Sequence, residues 1–579
     1  MMLIFMITAL LAVLHKPPTA FAAVLQQKQQ PPGPPSMPSV MSTRLGSLPL
    51  IGMGKAVGIG PPPHERMQQL ADRFGDVMTL EMGREPWVIL SSPEAVHEAF
   101  IVKGKEFSGR PMVPSMNISS GKGQGFAKKT LDPGLIKLRQ KAFGELFDAQ
   151  SVQRAQAHFD AETELLVEHL VSSSISSEYD GGGVEIRPAL RRAVTNMVLR
   201  YAFSARVPYE GEESLPTSTS TTTTSPSFTE SLTCTTSPLF EDLVDVVDQL
   251  WEELTSTKTF LVDLTVDPRL ADVYYGGISS IPSLVKKRDS LLRTIVSDRR
   301  RSRQQNKTTI RSNDMLDVLL DASLPESDLM YTLVDLFVAG VNTVSTTLEW
   351  MLLLTADEPI YQTRARVDAI ASGSTGRSNT NNNNTNDHSQ RPSYVDALIK
   401  ETLRSKPPLL LPRRSIADTS IGKYEIPAGR VVMANNWALT HDDRWWNNPE
   451  SFRPERWLKE EDRIFQGIES CKFIPYSIGR RACPGSRLAQ AELTTATRGL
   501  LRAVSWCRVE SKIDLREEYS LTLAPTEGQR KKPKDNAYPT CGITHNTKVK
   551  SHRNEACGNR STLKHSPTTL ELVILQALP

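Results

Sequence analysis

The chain has 579 residues, 39% hydrophobic and 23% charged, with a formal net charge of +3. That is a globular composition with enough apolar residues for a large core, and its near-balanced charge speaks against a nucleic-acid footprint. The six cysteines include no CxxC pair and no Cys/His cluster at ligand spacing, which speaks against a disulfide framework and a zinc site.

The first fourteen residues, MMLIFMITALLAVL, carry no charged side chain. The run is shorter than the roughly 20 apolar residues of a full membrane span and suits a signal-peptide core or a marginal anchor. Small residues in TAFA, ending at Ala22, suit a cleavage site, but no Lys or Arg precedes the apolar core. Residues 1–30 are therefore expected to form a hydrophobic anchor or signal segment. Residues 31–60 open with PPGPP and are expected to form a Pro-rich hinge, stiffened as polyproline. Together they predict a tether that attaches the body to a membrane.

From near Pro61, ERMQQLADRFG has helical spacing and ends at a glycine. VMTLEMGREPWVILSS predicts two strands around a Gly-containing turn. SSPEAVHEAF predicts a helix with Ser92 as N-cap, Pro93 in the first turn and Glu94 at the positive dipole end. Residues 134–149 and 151–171 are mostly helical in pattern. Two low-complexity inserts, 217–238 and 372–390, cannot bury enough apolar surface to order themselves and are expected as surface loops. Residues 526–579 are expected to be a disordered polar tail, although its apolar end, LELVILQALP, has no evident place. The body between hinge and tail, 61–525, is expected to be one mainly α catalytic domain with a small β region.

Between the inserts, 327–359 predicts one long helix, reaching about 45 Å. Asp335, Asn342 and Glu349 within it argue against a membrane span, so it is expected to cross the core. The small residues from Ala339 to Thr343 would let a large partner approach the backbone, or serve ordinary packing against a neighbouring helix.

The segment IPYSIGRRACPGSRLAQAEL, 474–493, sets Cys483 between two arginines and a Pro-Gly turn, just before a helix. There the helix dipole and free N–H groups favour a thiolate, and Arg480 and Arg481 add positive charge. Gly479 and Gly485 would let backbone close on a flat partner. A thiolate with amide donors and room for a planar group suits an axial ligand of haem iron; a buried free cysteine is the plainer alternative. On a helix Glu401 and Arg404 of ETLR share a face, and Arg456 of FRPERW is a third member of a set that, if buried, must be fully hydrogen-bonded.

These motifs resemble those of the cytochrome P450 family. PYSIGRRACPG is similar to its cysteine-loop signature, ETLR and FRPERW to its other fixed motifs, and AGVNT to its oxygen-activation motif, all in the family's order. The likeness runs from about Phe74 to Pro525. It implies the cytochrome P450 fold, with a long central helix over the haem, and a haem-thiolate monooxygenase that inserts one oxygen atom of dioxygen into a small apolar organic substrate. It further implies haem b as cofactor, NADPH as indirect electron source and a cytochrome P450 reductase as partner. By resemblance Cys483 is the thiolate ligand, Thr343 donates a hydrogen bond to dioxygen on the distal side, and Arg481, Arg413 and Arg139 hold the haem propionates. Glu401, Arg404 and Arg456 form the structural triad, and Lys137, Lys141 and Lys472 dock an acidic reductase. The family's usual Phe is Tyr476, whose hydroxyl is placed to tune the sulfur. The usual acid before the distal threonine is Asn342, and a usual tryptophan is Leu135. The alternatives are a haem-thiolate isomerase or dehydratase, which needs neither reductase nor proton relay, and a non-catalytic haem-binding protein. The family's usual location implies the endoplasmic-reticulum membrane; a cleaved signal would direct the chain to another compartment.

Overall fold

A computed structural model of the chain describes residues 30–33, 63–82, 85–131, 133–139, 143–176, 183–209, 212, 235–265, 268–305, 314–322, 324–372, 393–408, 410–458, 465–508, 517–519, 523–525 and 571–576. The anchor segment up to residue 29, most of the hinge, the bodies of both inserts and most of the tail lie outside these residues.

The mainly α expectation holds. Helix α1 (Pro63–Phe74) leads into the hairpin β1 (Val77–Met82) and β2 (Glu85–Leu90), then α2 (Pro93–His97), which continues as a wider turn to Val102. Ser92 caps α2 by accepting the Ala95 amide, with Pro93 at the first helical position. Further helices are α3 (Pro114–Ser119), α4 (Pro133–Leu138) and α5 (Ala149–Ser176); β3 (Gly183–Glu185) follows. Then come α6 (Ile186–Phe203), α7 (Pro238–Thr255), α8 (Ile281–Gln305), the central α9 (Glu326–Asp357) and α10 (Tyr394–Ser405). Strands β4 (Arg413–Arg414) and β5 (Val431–Ala434), helix α11 (Ser486–Ala503), and strands β6 (Val504–Arg508) and β7 (Glu571–Gln576) complete the frame.

The main sheet has the order β1-β2-β5-β4. On β1 alternate residues Met78, Leu80 and Met82 are buried, the period-2 signature of a half-covered strand. β5 is buried throughout, as befits a strand with a neighbour on each side. β5 pairs parallel to β2 and antiparallel to β4, which sets Arg413 opposite Val432. The hinge begins against this sheet: the carbonyl of Pro32 accepts the Thr79 amide at 2.8 Å.

Two expectations are corrected. The first insert is ordered at its end, because Thr235 and Thr236 pair with Ala205 and Arg206, and Ser237 caps α7. The apolar end of the tail departs from the expected disorder over six residues: β7 pairs antiparallel with both β6 and β3. The apolar run 572–575 places β7 between those two strands.

Central helix α9 is the described helix long and apolar enough to span a membrane, but two thirds of its most apolar window is buried inside the protein. It packs along α6, and a Cβ at Gly340 would lie 3.1 Å from Val198 Cγ2. Gly340 thus serves helix packing, whereas Ala339 and Thr343 lie on the exposed stripe of α9. Behind it α11 packs on α5, where a Cβ at Gly499 would approach Thr163 Cγ2 to 2.2 Å. Gly499→Val is expected to destabilise the fold by about 1–3 kcal/mol through overpacking. Thermal unfolding checks this; an unchanged midpoint would mean that α5 and α11 can separate freely.

Candidate functional site

The loop that carries Cys483 is folded by its own backbone. Ser477 and Gly479 both have positive φ, 59° and 69°; the Ser477 amide donates to the Ile474 carbonyl at 2.9 Å, and the Cys483 amide to that of Tyr476 at 2.8 Å. A Cβ on Gly479 would lie 2.0 Å from the Phe100 carbonyl oxygen. The bare face of Gly479 therefore meets the turn after α2, a correction to its expected use against a flat partner. Gly485 is the open one of the pair: the nearest atom to a Cβ there is Phe147 Cε1 at 3.8 Å.

Cys483 is open to solvent on one side, yet protein surrounds it closely enough that desolvation pushes its thiol up, against the Gly485 amide and the Arg139 charge. The expected thiolate preference is thus not supplied by the chain alone. Of the two flanking arginines, Arg480 is exposed and Arg481 turns into the core, so the cation acting on the sulfur is Arg139. A coordinated metal ion reverses this balance, because it deprotonates a ligating thiol outright. Tyr476 corrects a further expectation: its hydroxyl donates to Gln490 Oε1 at 3.4 Å rather than to the sulfur.

Four guanidiniums converge beside this loop. Arg481 donates to the carbonyls of Lys129 and Ala127 at 2.9 and 3.0 Å. Arg413 donates to the Ile478 carbonyl at 2.6 Å and lies 3.6 Å over the Phe100 ring. Arg139 donates to the Ala482 carbonyl at 3.0 Å. Arg110 donates to the carbonyls of Ala127, Leu411 and Pro412. Burial, then their mutual repulsion, pulls Arg413 down to about 9 and Arg481 to about 10, and Arg110 well below its usual value. Arg413 Nη1 and Arg481 Nε are buried with no hydrogen-bond partner. Orphaned donors among desolvated like charges mark a place for an anion. A haem, with its two propionates, fits this donor set, and Cys483 offers sulfur to its iron. The sequence pattern did not single out Arg110; the bridge pairing Gly109 with Arg414 is what brings it here.

On the central helix α9, Thr343 Oγ1 donates to the Ala339 carbonyl at 2.8 Å and both residues are exposed. Asn342, next to it, is buried. Two turns earlier, Asp335 accepts the Ala127 amide at 2.9 Å. Burial pushes this carboxyl up to about 6, against the Ala127 amide and the Lys128 charge. Gly125 has φ +80°, and a Cβ there would strike Asp335 Oδ2 at 2.4 Å, so glycine is required on both counts.

The Glu401 set is complete and fully buried. The two carboxylate oxygens accept five hydrogen bonds, from Arg404 Nε and Nη2, Arg456 Nε, Trp457 Nε1 and the Arg453 amide, at 2.8–3.0 Å. Arg404 also donates to the Thr440 carbonyl, and Arg456 to that of Ser451. Leu135 is buried in the main core. Lys472 Nζ stacks 4.0 Å over the Phe465 ring; Lys141 and the side chain of Lys137 lie outside the described residues. Arg139, Phe143, Phe147, Pro484 and Arg487 line a cleft of about 370 Å³ beside the loop. Sequence reasoning also missed Glu492 on α11, a buried carboxyl pushed up to about 8 by desolvation.

Comparison with known proteins bears on the family and the fold. The family model for Cytochrome P450 matches residues 44–531. Ferruginol synthase of Salvia fruticosa is 27% identical over 84% of this chain and 90% of its own length. Steroid 17-alpha-hydroxylase/17,20 lyase of Ictalurus punctatus is 28% identical over 79% and 82%. Trans-cinnamate 4-monooxygenase of Glycyrrhiza echinata is 27% identical over 77% and 83%. A solved zebra fish cytochrome P450 with progesterone shares the fold at a TM-score of 0.61 and 23% identity, covering 80% of this chain and 98% of that one.

Asp335 titrates at about 6 when folded, above the ordinary carboxyl value. Folding therefore favours its protonated form: the stability it contributes is present below about pH 4 and is lost as pH rises through 6, by about 3 kcal/mol. Asp335→Asn is expected to remove that loss, which chemical denaturation between pH 4 and pH 7 would reveal; an identical pH slope in both proteins would contradict the assignment.

Proposed function

Because this chain belongs to the cytochrome P450 family and is a haem-dependent oxidoreductase of the monooxygenase class, we propose that it inserts one oxygen atom of dioxygen into a small apolar organic substrate, with Cys483 as the residue that would hold the iron of haem b. The observation that carries this reading is the cluster of Arg110, Arg139, Arg413 and Arg481, gathered beside the Cys483 loop with buried donors unmet. Haem, when bound, supplies the redox chemistry of oxygen activation, which a thiolate ligand favours.

The chain's own part is binding, positioning and proton handling. The Gly485 amide and Arg139 bear on the sulfur, and Arg413 and Arg481 have donors to offer the propionates. Thr343 can turn its hydroxyl from the Ala339 carbonyl toward a reacting group or water in the distal space. Asn342 cannot take up and release a proton near neutral pH, so proton delivery falls to the Thr343 hydroxyl and water. Glu401, Arg404 and Arg456 act as architecture, holding the meander that leads to the cysteine loop.

Electrons would come from NADPH through a reductase that docks on the face of the cysteine loop. Exposed Arg480 and Arg487 there supply positive charge for an acidic partner, with Lys137, Lys141 and Lys472 as further candidates. The apolar residues 1–30 would tether the chain to the endoplasmic-reticulum membrane. The substrate is held at the level of an apolar organic molecule, since the relatives are named for ferruginol, steroid and trans-cinnamate chemistry.

The full chain, reduced under carbon monoxide, is expected to give the red-shifted Soret band of thiolate-ligated haem, and Cys483→Ser is expected to lose it. An unshifted band in the native protein would sink the ligand assignment. Asn342→Asp is expected to raise the fraction of oxidised NADPH that appears as product, measured by paired cofactor and product assays. An unchanged ratio would mean that proton delivery does not pass this position.

A further inference from the structure

Lys128 has no part in the reading above, and its setting is unusual for an ammonium group. Nζ carries three donors, yet its hydrogen bond among the described residues goes to the thioether sulfur of Met116 at 3.5 Å, a weak acceptor. Burial pulls its pKa down, and of the charges around it Arg110 and Arg481 repel while Asp335 attracts. Asp335 Oδ2 is already taken by the Ala127 amide, and no ion pair to Lys128 forms among the described residues. The next residue, Lys129, has found its own carboxylate, Asp328 at 3.6 Å. Lys128 is half-buried, and a partly desolvated ammonium whose close acceptor is a thioether is stabilised when a stronger, anionic acceptor arrives.

The position suggests where that acceptor comes from. Lys128 lies where α3, through Met116, meets the central helix, through Asp335. Helix α3 is itself held from outside: the Ser115 amide donates to Asp263 Oδ1 at 3.0 Å, and Arg288 Nη1 donates to the Ser119 carbonyl at 3.0 Å. Asp335, Ala339 and Thr343 follow at intervals of four on one ridge of α9, so Asp335, the α9 carboxylate that attracts Lys128, stands about 12 Å along the helix from Thr343. The propionates already have four guanidiniums, which leaves this ammonium for another anion.

We propose that Lys128 anchors a carboxylate on the substrate, so that the preferred substrates are apolar molecules bearing a carboxylate remote from the oxidised atom. This rests on the monooxygenase reading. The carboxylate would replace Met116 as the acceptor, and the apolar body would lie along α9 toward Thr343.

The test uses the haem-loaded full chain and the pair dodecanoic acid and methyl dodecanoate, radiolabelled and measured by equilibrium dialysis, which needs no haem signal. Native protein is expected to bind the acid about 10- to 100-fold tighter than the ester, the usual worth of a hydrogen bond to a charged group. Lys128→Met is expected to abolish that preference with ester binding unchanged, and Lys128→Arg to keep it. Equal binding of acid and ester, no binding of the acid, or a preference that survives Lys128→Met would each overturn the proposal. Haem content is measured on the same samples: loss of haem from Lys128→Met alone would assign the lysine to a propionate and overturn it too. A native chain that takes up no haem would instead defeat the monooxygenase reading.

Discussion

Two buried guanidiniums, Arg413 and Arg481, and two half-buried ones, Arg110 and Arg139, with no carboxylate hydrogen-bonded to them among the described residues, are the constraint around which this protein is arranged. Like charges in a desolvated space repel, and the polypeptide supplies only carbonyl oxygens to soften that repulsion: Ala127, Lys129, Leu411, Pro412, Ile478 and Ala482 each accept from one or more of Arg110, Arg139, Arg413 and Arg481. These carbonyls come from segments far apart in sequence. The cluster therefore ties the loop after α3, the strand β4 and the cysteine loop to one another. A carbonyl stabilises a cation less than an anion does, so a dianionic group entering among these arginines would add the stronger partner. Its binding would stabilise the fold, as does any ligand that binds the native state alone.

The Glu401 set solves the opposite problem. One carboxylate is fully enclosed, and every lone pair finds a donor. Such a site adds little net stability over apolar packing, but it is costly to break. Its value is geometric. Glu401 on α10 fixes Arg453, Arg456 and Trp457, and the Trp457 ring packs against Phe473 at 4.7 Å, one residue before the segment that carries Cys483. Arg404 and Arg456 also hold the carbonyls of Asn447, Asn448 and Ser451. An irregular meander, which has no ladder of its own, is given one by two arginines.

Much of this was legible in the sequence because it rests on local rules. Ser92 before Pro93 specifies a cap, the period-2 pattern of β1 specifies a half-buried strand, and the 327–359 run specifies a helix within two residues of its ends. The motifs carried the site, since resemblance named Cys483, Arg413, Arg481 and the Glu401 set. What escaped depends on contacts between distant segments. Gly479 reads as room for a ligand until Phe100 is seen against it. Arg110 reads as one more surface cation until the Gly109–Arg414 bridge carries it inward. Glu492 sits at a helical position like any other, and only packing shows that its carboxyl is buried. The effect of Arg480 and Arg481 on the sulfur was misjudged for the same reason, because adjacent residues in a turn point to opposite environments.

The two faces of α9 show how one helix serves packing and chemistry together. Gly340 lets α6 approach, and Asn342 turns inward, while Ala339 and Thr343 stay open on the neighbouring stripe. An acid at 342 would be buried beside an apolar helix contact and would have to be uncharged or find a partner. Asparagine avoids that cost but gives up titration. The carboxyl that α9 does keep near neutral pH is Asp335, two turns away, and it is committed to the amide of Ala127. The same segment lends its carbonyls to Arg110 and Arg481. The charge state of Asp335 therefore bears on the arginine cluster both through that backbone and directly, since its carboxylate favours the charged Arg481 guanidinium, and what α9 gives up in titration at Asn342 it retains, two turns earlier, as a hold on the loop that carries these carbonyls.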